Sequence, residues 1–380
     1  MIYFDNSATT RPLDEVIALV TETMRDVFGN ASSLHALGLD AERKIKAAAQ
    51  TIAGTLPCTP ASLVFTSGGT ESINTAIRGY LEANPRKGKH LITSAGDHPA
   101  VRETARALAS RGYETTFLPL DSNGCVDPDR LADAIRPDTA LISLNHVNNE
   151  TGAIHDPEQI ASIRNRIRPE TAIHMDCVQS FGKLATDTVT ARCELASISA
   201  HKIHGPKGVG ALFVRPGVRI APLLYGGGQQ RGLRPGTENT ALIEGFALAA
   251  VRMAASREQN TVSVRRVRNA LLAGLEGRAD FRNLSPADGY PGILSIAFPG
   301  IPSEVMVHAM EREGVCLSAG SACSSRKKKN SPVLRAMGVD EATAGCAVRF
   351  SFCMNNTVEE AEEAVQATLR VLGRYVIRRK

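Results

Sequence analysis

Between about residues 62 and 214 the chain alternates short apolar runs with longer stretches whose apolar positions recur at helical spacing. The runs at 90–93, 115–118, 141–144, 173–176 and 197–199 predict strands, and the stretches at 70–82, 102–111, 129–135 and 157–168 predict helices. Alternation of this kind predicts an α/β fold with a mostly parallel sheet covered by helices on both faces. Ligands of such sheets bind in loops at the carboxyl ends of the strands. The polar residues just past each run are therefore the first candidates for chemistry.

Beyond residue 214 the pattern changes. A glycine-rich stretch from Gly226 through Gly228 and Gly232 to Gly236 reads as a loop, and 240–257 as a long helix. Helices at 267–275, 304–313 and 358–372, with strands at 292–298 and 348–352, predict a smaller α+β unit. The expected division is a large domain over 14–256 and a small domain from 1–13 and 257–380. There is no internal repeat and no low-complexity segment beyond Arg326-Lys327-Lys328-Lys329.

Bulk properties narrow the function classes. At 380 residues the chain exceeds one compact core, and 43% apolar residues suffice for a sizeable interior. Aromatics are only 4% and Trp is absent, which suits closely packed helix-on-sheet layers. The net charge of +5 is modest, and no basic stripe interleaves with aromatics, so a nucleic-acid partner is not expected. No apolar run approaches a membrane span, and the charged opening residues carry no signal-peptide pattern, so no membrane association and a cytoplasmic location are expected. Eight cysteines (58, 125, 177, 193, 316, 323, 346 and 353) stand singly, with no C-x-x-C pair. That spacing predicts reduced thiols, mostly buried in packing, and no metal site.

Four strand-end motifs carry candidate chemistry. Ser199-Ala200-His201-Lys202 leads into a Gly/Pro turn, and a lysine there is a candidate Schiff-base lysine, with Ser199 and His201 placed to bind a phosphate. Taken alone, the segment Ser197 to Lys202 reads more readily as a surface-loop lysine. Asp176, closing the strand at 173–176, needs a partner if buried, such as a protonated pyridine nitrogen, with Gln179 beside it; it also fits a helix N-cap. Ser67-Gly68-Gly69-Thr70 joins a strand to a helix and offers free amides and the Thr70 hydroxyl to a phosphate, although such turns also cap helices without a ligand. His98, in Asp97-His98-Pro99, can stack on a planar cofactor or exchange protons with a substrate.

These motifs, with Asp5-Asn6-Ser7-Ala8-Thr9-Thr10 at the start, His146-Val147-Asn148-Asn149-Glu150-Thr151-Gly152, and the segment from Gly226 to Asn239, resemble the cysteine desulfurases of the NifS/IscS type. These belong to the class V aminotransferase group of fold-type I pyridoxal phosphate enzymes. The likeness runs from about Tyr3 to about Arg349. It implies that Lys202 binds pyridoxal 5'-phosphate covalently, that Asp176 pairs with the ring nitrogen, and that Gln179 contacts the phenolic oxygen. It further implies that His98 stacks on the ring and that Gly69, Thr70, Ser199 and His201 hold the phosphate. Asn149 is implied near the substrate amine and ring oxygen, and Arg349 as the clamp for the substrate carboxylate. Thr237 is implied to reach the neighbouring subunit's cofactor, which makes the active unit a homodimer.

The segment Leu317 to Ser325 sets the expected activity. Small residues flank Cys323 on both sides. The resemblance implies that its thiolate takes sulfur from L-cysteine as a persulfide and releases alanine. Onward delivery to an acceptor protein, for iron–sulfur cluster assembly or a thiolation pathway, follows from the same likeness. Selenocysteine lyase, another class V enzyme and a non-catalytic scaffold on this fold remain as alternatives. Asp97 stands where the family usually has Glu before the stacking histidine. The basic run at 326–329 also departs from relatives, either as a merely solvated stretch or as a docking feature for an acidic sulfur acceptor. The sequence past Arg349 is shorter than in housekeeping members with a scaffold-binding tail, so service to a standard iron–sulfur scaffold is less expected.

Overall fold

The computed structural model describes residues 1–320 and 331–375. Cys323 and the basic run at 326–329 lie outside them. Seven strands build the larger sheet: β1 (Leu63–Thr66), β2 (His90–Ser94), β3 (Glu114–Leu118), β4 (Thr139–Asn145), β5 (Ala172–Asp176), β6 (Leu195–Ser199) and β7 (Gly210–Val214). Their order is β1-β7-β6-β5-β4-β2-β3, and every pair is parallel except the two made by β7. This is the mostly parallel sheet expected from the alternation. The strand β7 is an addition to the predicted set, and it is the only one that runs against the others.

Side-chain alternation explains why these strands read as continuous apolar runs. Ile92, Ile142, Leu144, Ile173, Met175, Ile198 and Phe213 face one hydrophobic core, while Leu91, Leu141, Ala172, Leu195 and Leu212 face a second. Apart from the edge strand β3, each strand is buried on both sides, and its few polar residues are enclosed as well. Helices between strands start on side-chain caps: Asp127 accepts from Asp129 N and Arg130 N, and Asp156 accepts from Glu158 N. Proline follows at the first helical position in both.

Several boundaries differ from expectation for local reasons. The helix predicted over 102–111 runs Pro99–Ala109, because His98 caps it and Pro99 suits its first turn. The helix predicted over 70–82 is three pieces, with a π-helical turn at Thr75–Gly79 between Gly69–Asn74 and Tyr80–Ala83. There Gly79 packs so closely on Ala221 that a Cβ would meet its carbonyl at 2.5 Å, and Ala221 N donates to Gly79 O. Ser256 breaks the long helix predicted over 240–257, leaving Thr240–Ala255 and a 19-residue helix Arg257–Leu275 that absorbs the shorter one predicted at 267–275.

A second core forms around an antiparallel sheet in the order Ser318–Ala319, Ala347–Ser351, Ile293–Ala297, Arg282–Asn283. Phe4, Leu294, Phe298, Val348 and Phe350 pack there against Leu271 and Val365 from helices Arg257–Leu275 and Val358–Tyr375. The first residues of the chain thus fold with its last third, Phe4 meeting Phe352 edge-on at 4.9 Å between ring centroids. Among the described residues no helix is long and apolar enough to cross a membrane. The seven described cysteines are free thiols; only Cys177 and Cys193 are fully buried, so the expectation of mostly buried cysteines is too strong.

Candidate active site

Strand β6 ends at Ser199 and turns at once into a 3-10 turn, Ala200–Lys202. Gly205 closes it by donating its N–H to Ala200 O, where a Cβ would lie 2.9 Å from the Ala200 side chain and carbonyl. The N-terminal segment then locks the turn from outside. Thr10 donates through both N and Oγ1 to His201 O, and its Oγ1 accepts from His204 N at 2.7 Å. Lys202 Nζ donates to Ser7 O at 2.5 Å and Ala8 O at 2.7 Å. Lys202 is half-buried in a polar crevice and is not a surface-loop lysine.

Most of the predicted residues converge on this amine. The charge on Lys202 acts on Asp176, His98 and His201 alike. Asp176, at the end of β5, is buried and accepts from Val178 N at 3.0 Å in a local turn, so it is not a helix cap. Burial pushes its carboxyl up to about 7, the mark of a carboxylate short of compensating cation. His98 Nδ1 accepts from Ala100 N, which leaves the proton on Nε2, and burial and the nearby Lys202 push the ring down to about 4. His201 bonds Thr9 Oγ1 through Nδ1 and is likewise held neutral, at about 4, chiefly by burial. Gln179 Nε2 donates to Ser7 O at 2.9 Å, the carbonyl that Lys202 also uses.

A phosphate-sized cradle lies beside these groups. Gly68 has φ +150, and Gly69 opens the helix so close to β6 that an added Cβ would stand 2.7 Å from Val178 Cγ2 and 3.8 Å from Ser199 Cβ. The Ser199 hydroxyl is buried there with no partner among the described residues. An orphaned buried hydroxyl next to free helix-start amides fits an anionic group of the kind pyridoxal phosphate carries. Asp176, whose burial is only partly offset by the Lys202 charge, fits that cofactor's protonated ring nitrogen. Thr70 is exposed at the mouth of this turn.

Arg349 occupies a second position across the N-terminal segment. Its strand has partners on both sides, so it is buried and not an edge residue. Nη2 pairs with Asp5 Oδ1 at 2.9 Å and Nη1 donates to Asn149 O at 2.9 Å. Residues 5–8 connect the two halves: Ser7 N donates to Ser351 Oγ at 2.8 Å, while the Ser7 and Ala8 carbonyls hold Lys202. This scaffolding role was not read from the sequence, although the run of small hydrogen-bonding residues Ser7 to Thr10 was its signal. Asp97, which stands where the family usually has Glu, is spent on structure: it accepts from Thr93 Oγ1, Ser94 N and both nitrogens of Asn145.

Two predicted residues stand apart. Thr237 is exposed on a groove it shares with Thr66, Ser67 and Gln230, and Lys202 does not line that groove. Cys323 lies outside the described residues, though both flanks are placed. Glu150 Oε2 bonds the Ser331 hydroxyl after that segment and would stand 3.1 Å from a Cβ on Gly320 before it.

The sequence matches the aminotransferase class-V family over residues 2–363. It is 40% identical to a protein called NifS/IcsS protein homolog from Lactobacillus delbrueckii subsp. bulgaricus, over 97% of this chain and 96% of that one. It is 39% identical to a cysteine desulfurase IscS from Shewanella loihica, over 98% and 93% of the two chains. Its fold superimposes on that of a solved NifS-like protein with a TM-score of 0.92 and 34% identity, covering 98% of this chain and 99% of that one. A parallel sheet with its polar groups gathered at the strand ends, matched over nearly its full length, defines the class. The chain belongs to the aminotransferase class-V family, a family of pyridoxal phosphate enzymes with the fold-type I architecture.

Proposed function

We propose that this protein is a cysteine desulfurase that binds pyridoxal phosphate on Lys202, takes sulfur from L-cysteine onto Cys323 and releases alanine. The observation that carries the reading is the pocket in which the Lys202 amine faces buried Asp176, neutral His98 and the unpartnered Ser199 hydroxyl. Full-length relatives named as cysteine desulfurases support the activity.

When bound, the cofactor supplies an electron sink that stabilises negative charge on the substrate carbon attached to it. The chain's own residues do the rest. Asp176 balances the ring nitrogen's charge, and that cation in turn keeps the carboxylate ionised despite its burial. His98, held neutral, would stack on the ring of the bound cofactor. Gly69, Thr70, Ser199 and His201 hold the phosphate, and Gln179 and Asn149 address the ring oxygen. Arg349 receives the substrate carboxylate, and the Lys202 amine moves the proton at Cα. The Cys323 thiolate attacks the substrate sulfur: an S–S bond forms, the substrate C–S bond breaks, and the persulfide stays on the protein. Thr237, exposed in the single chain, serves the partner subunit's phosphate in a homodimer, and an acceptor protein takes the sulfur onward. The domain division at 256/257 follows the break at Ser256 and the separate core beyond it.

The test is a spectrum and a product assay on the purified protein. Wild type is expected to show the cofactor's visible band and, with a thiol reductant added to cleave the Cys323 persulfide, to form alanine and sulfide from cysteine. Lys202→Ala is expected to lose the band, and Cys323→Ala to keep the band while losing sulfide release. Full desulfuration by Cys323→Ala overturns the assignment of the sulfur-accepting thiol.

A further inference from the structure

A second lysine lies in the same pocket. Lys183, in the turns after β5, donates from Nζ to Gln179 Oε1 at 3.2 Å. The other end of that amide, Gln179 Nε2, donates to Ser7 O at 2.9 Å, and Lys202 Nζ reaches the same carbonyl at 2.5 Å. The two lysines are therefore joined through one amide and one backbone oxygen. Lys183 is further enclosed by the Tyr290 ring, 5.8 Å from Nζ to centroid, and by the Cys353 thiol. His201 and His204 also feel its charge.

Donor and acceptor chemistry makes this chain directional. An amide can be turned either way at little steric cost, so its orientation is set by its partners. An ammonium only donates, and a backbone carbonyl only accepts. With Lys183 on one side and Ser7 O on the other, Gln179 has one orientation that satisfies both. Oε1 faces Lys183, and Nε2 donates to Ser7 O, the carbonyl that Lys202 also reaches. Burial and the neighbouring Lys202 push the Lys183 amine down to about 7, as expected for a cation sharing a pocket with another cation.

We propose that Lys183 is a positioning residue for the cofactor pocket: by holding Gln179 Oε1, it makes Gln179 present an N–H donor, not a carbonyl, to the anionic ring oxygen of the bound cofactor. This deepens the reading above and rests on it. Without Lys183 only the bond from Nε2 to Ser7 O still orients the amide, and any flipped fraction sets oxygen against oxygen. The role acts through Gln179, so it predicts a coupling that a general contribution to packing does not.

The experiment measures the pyridoxal phosphate dissociation constant and the pH midpoint of the visible band for Lys183→Met, Lys183→Arg, Gln179→Ala and the double variant Lys183→Met/Gln179→Ala. Thermal melts of the cofactor-free proteins verify folding. Lys183→Met is expected to weaken cofactor binding about tenfold and to move the band's pH midpoint, since hydrogen bonds to charged groups are worth roughly that factor or more. Lys183→Arg, which still donates, is expected to stay within about twofold of wild type. In the Gln179→Ala background, Lys183→Met is expected to add nothing. The proposal is overturned if Lys183→Met binds and titrates like wild type, if the two substitutions are additive, or if arginine fails as badly as methionine. Loss of the band in Lys202→Ala separates these outcomes from failure of the functional reading: a Lys202→Ala protein that keeps its band defeats that reading, whatever Lys183 does.

Discussion

Lys202 and Arg349 are cations set against the same short N-terminal segment, yet they are held in opposite ways. Lys202 rests on the neutral carbonyls of Ser7 and Ala8, in a pocket whose histidines are kept uncharged. Arg349 is buried in an interior strand, tied to the Asp5 carboxylate and to Asn149 O. Neutral acceptors can be exchanged for other partners at small electrostatic cost, whereas an enclosed ion pair is costly to open. The first arrangement suits an amine that must change partners and protonation state. The second suits a fixed charge that waits for a carboxylate.

That contrast can be broken by exchanging the chemistry of the two sites. Lys202→Arg keeps a cation but supplies a guanidinium that neither gives up its proton nor forms a Schiff base. Turnover is expected to fall by about 10³-fold or more, and the visible band to vanish, in a protein that still melts cooperatively. Retained turnover would remove the distinction between a labile and a fixed cation.

Arg349→Lys makes the reverse exchange. One ammonium cannot hold Asp5 and Asn149 O while also gripping a carboxylate in two-pronged fashion. KM for cysteine is expected to rise about thirtyfold, with a smaller change in kcat, because roughly 2 kcal/mol of charge-assisted bonding is lost in substrate binding. A fall in kcat alone, with KM unchanged, would place Arg349 outside substrate binding.

The smallest expected effect is on stability against pH. His98, His146 and His201 are pushed from 6.5 to about 4, and His174, bonded to Ser143 and Ser197, to about 3, all mainly by burial. Depressed histidine values mean that the unfolded chain binds protons first. Their stabilising contribution is present above pH 6.5 and is lost as pH falls toward 4. Asp176 and Glu150, raised to about 7 by burial, work the other way, contributing at acid pH and losing that contribution as pH rises through 7. Four histidines outweigh two carboxyls, so the melting temperature of the cofactor-free protein is expected to fall between pH 6.5 and 4.5. Calorimetry showing a flat or rising melting temperature over that window would contradict the sign.

Much of the larger sheet was legible because buried parallel strands leave a plain mark. The runs at 141–144 and 173–176 fall inside β4 and β5, since both faces of those strands are covered and their interior polar residues, Ser143 and His174, bond to each other between the strands. β7 was harder to see. Its five residues follow a Gly/Pro turn, and nothing local marks a strand that inserts antiparallel between two others from distant parts of the chain. The π-helical turn at Thr75–Gly79 was likewise hidden, and Gly79 within it packs on Ala221 across the fold, a contact that no short window carries.

The sequence by itself determined the strand–helix alternation, the glycine turn before Thr70, and the placement of Lys202, Asp176 and His98 just beyond strand ends. These follow from local periodicity and from the rule that polar groups gather where strands stop. Only the tertiary structure decided that Asp5, Ser7 and Ala8 form the wall between Lys202 and Arg349, that Asp97 is committed to Asn145, and that Lys183 meets Gln179. The reason is physical. A hydrogen bond across 195 residues, such as that from Lys202 to Ser7, depends on how two separate cores pack together, and no short window of sequence carries that information.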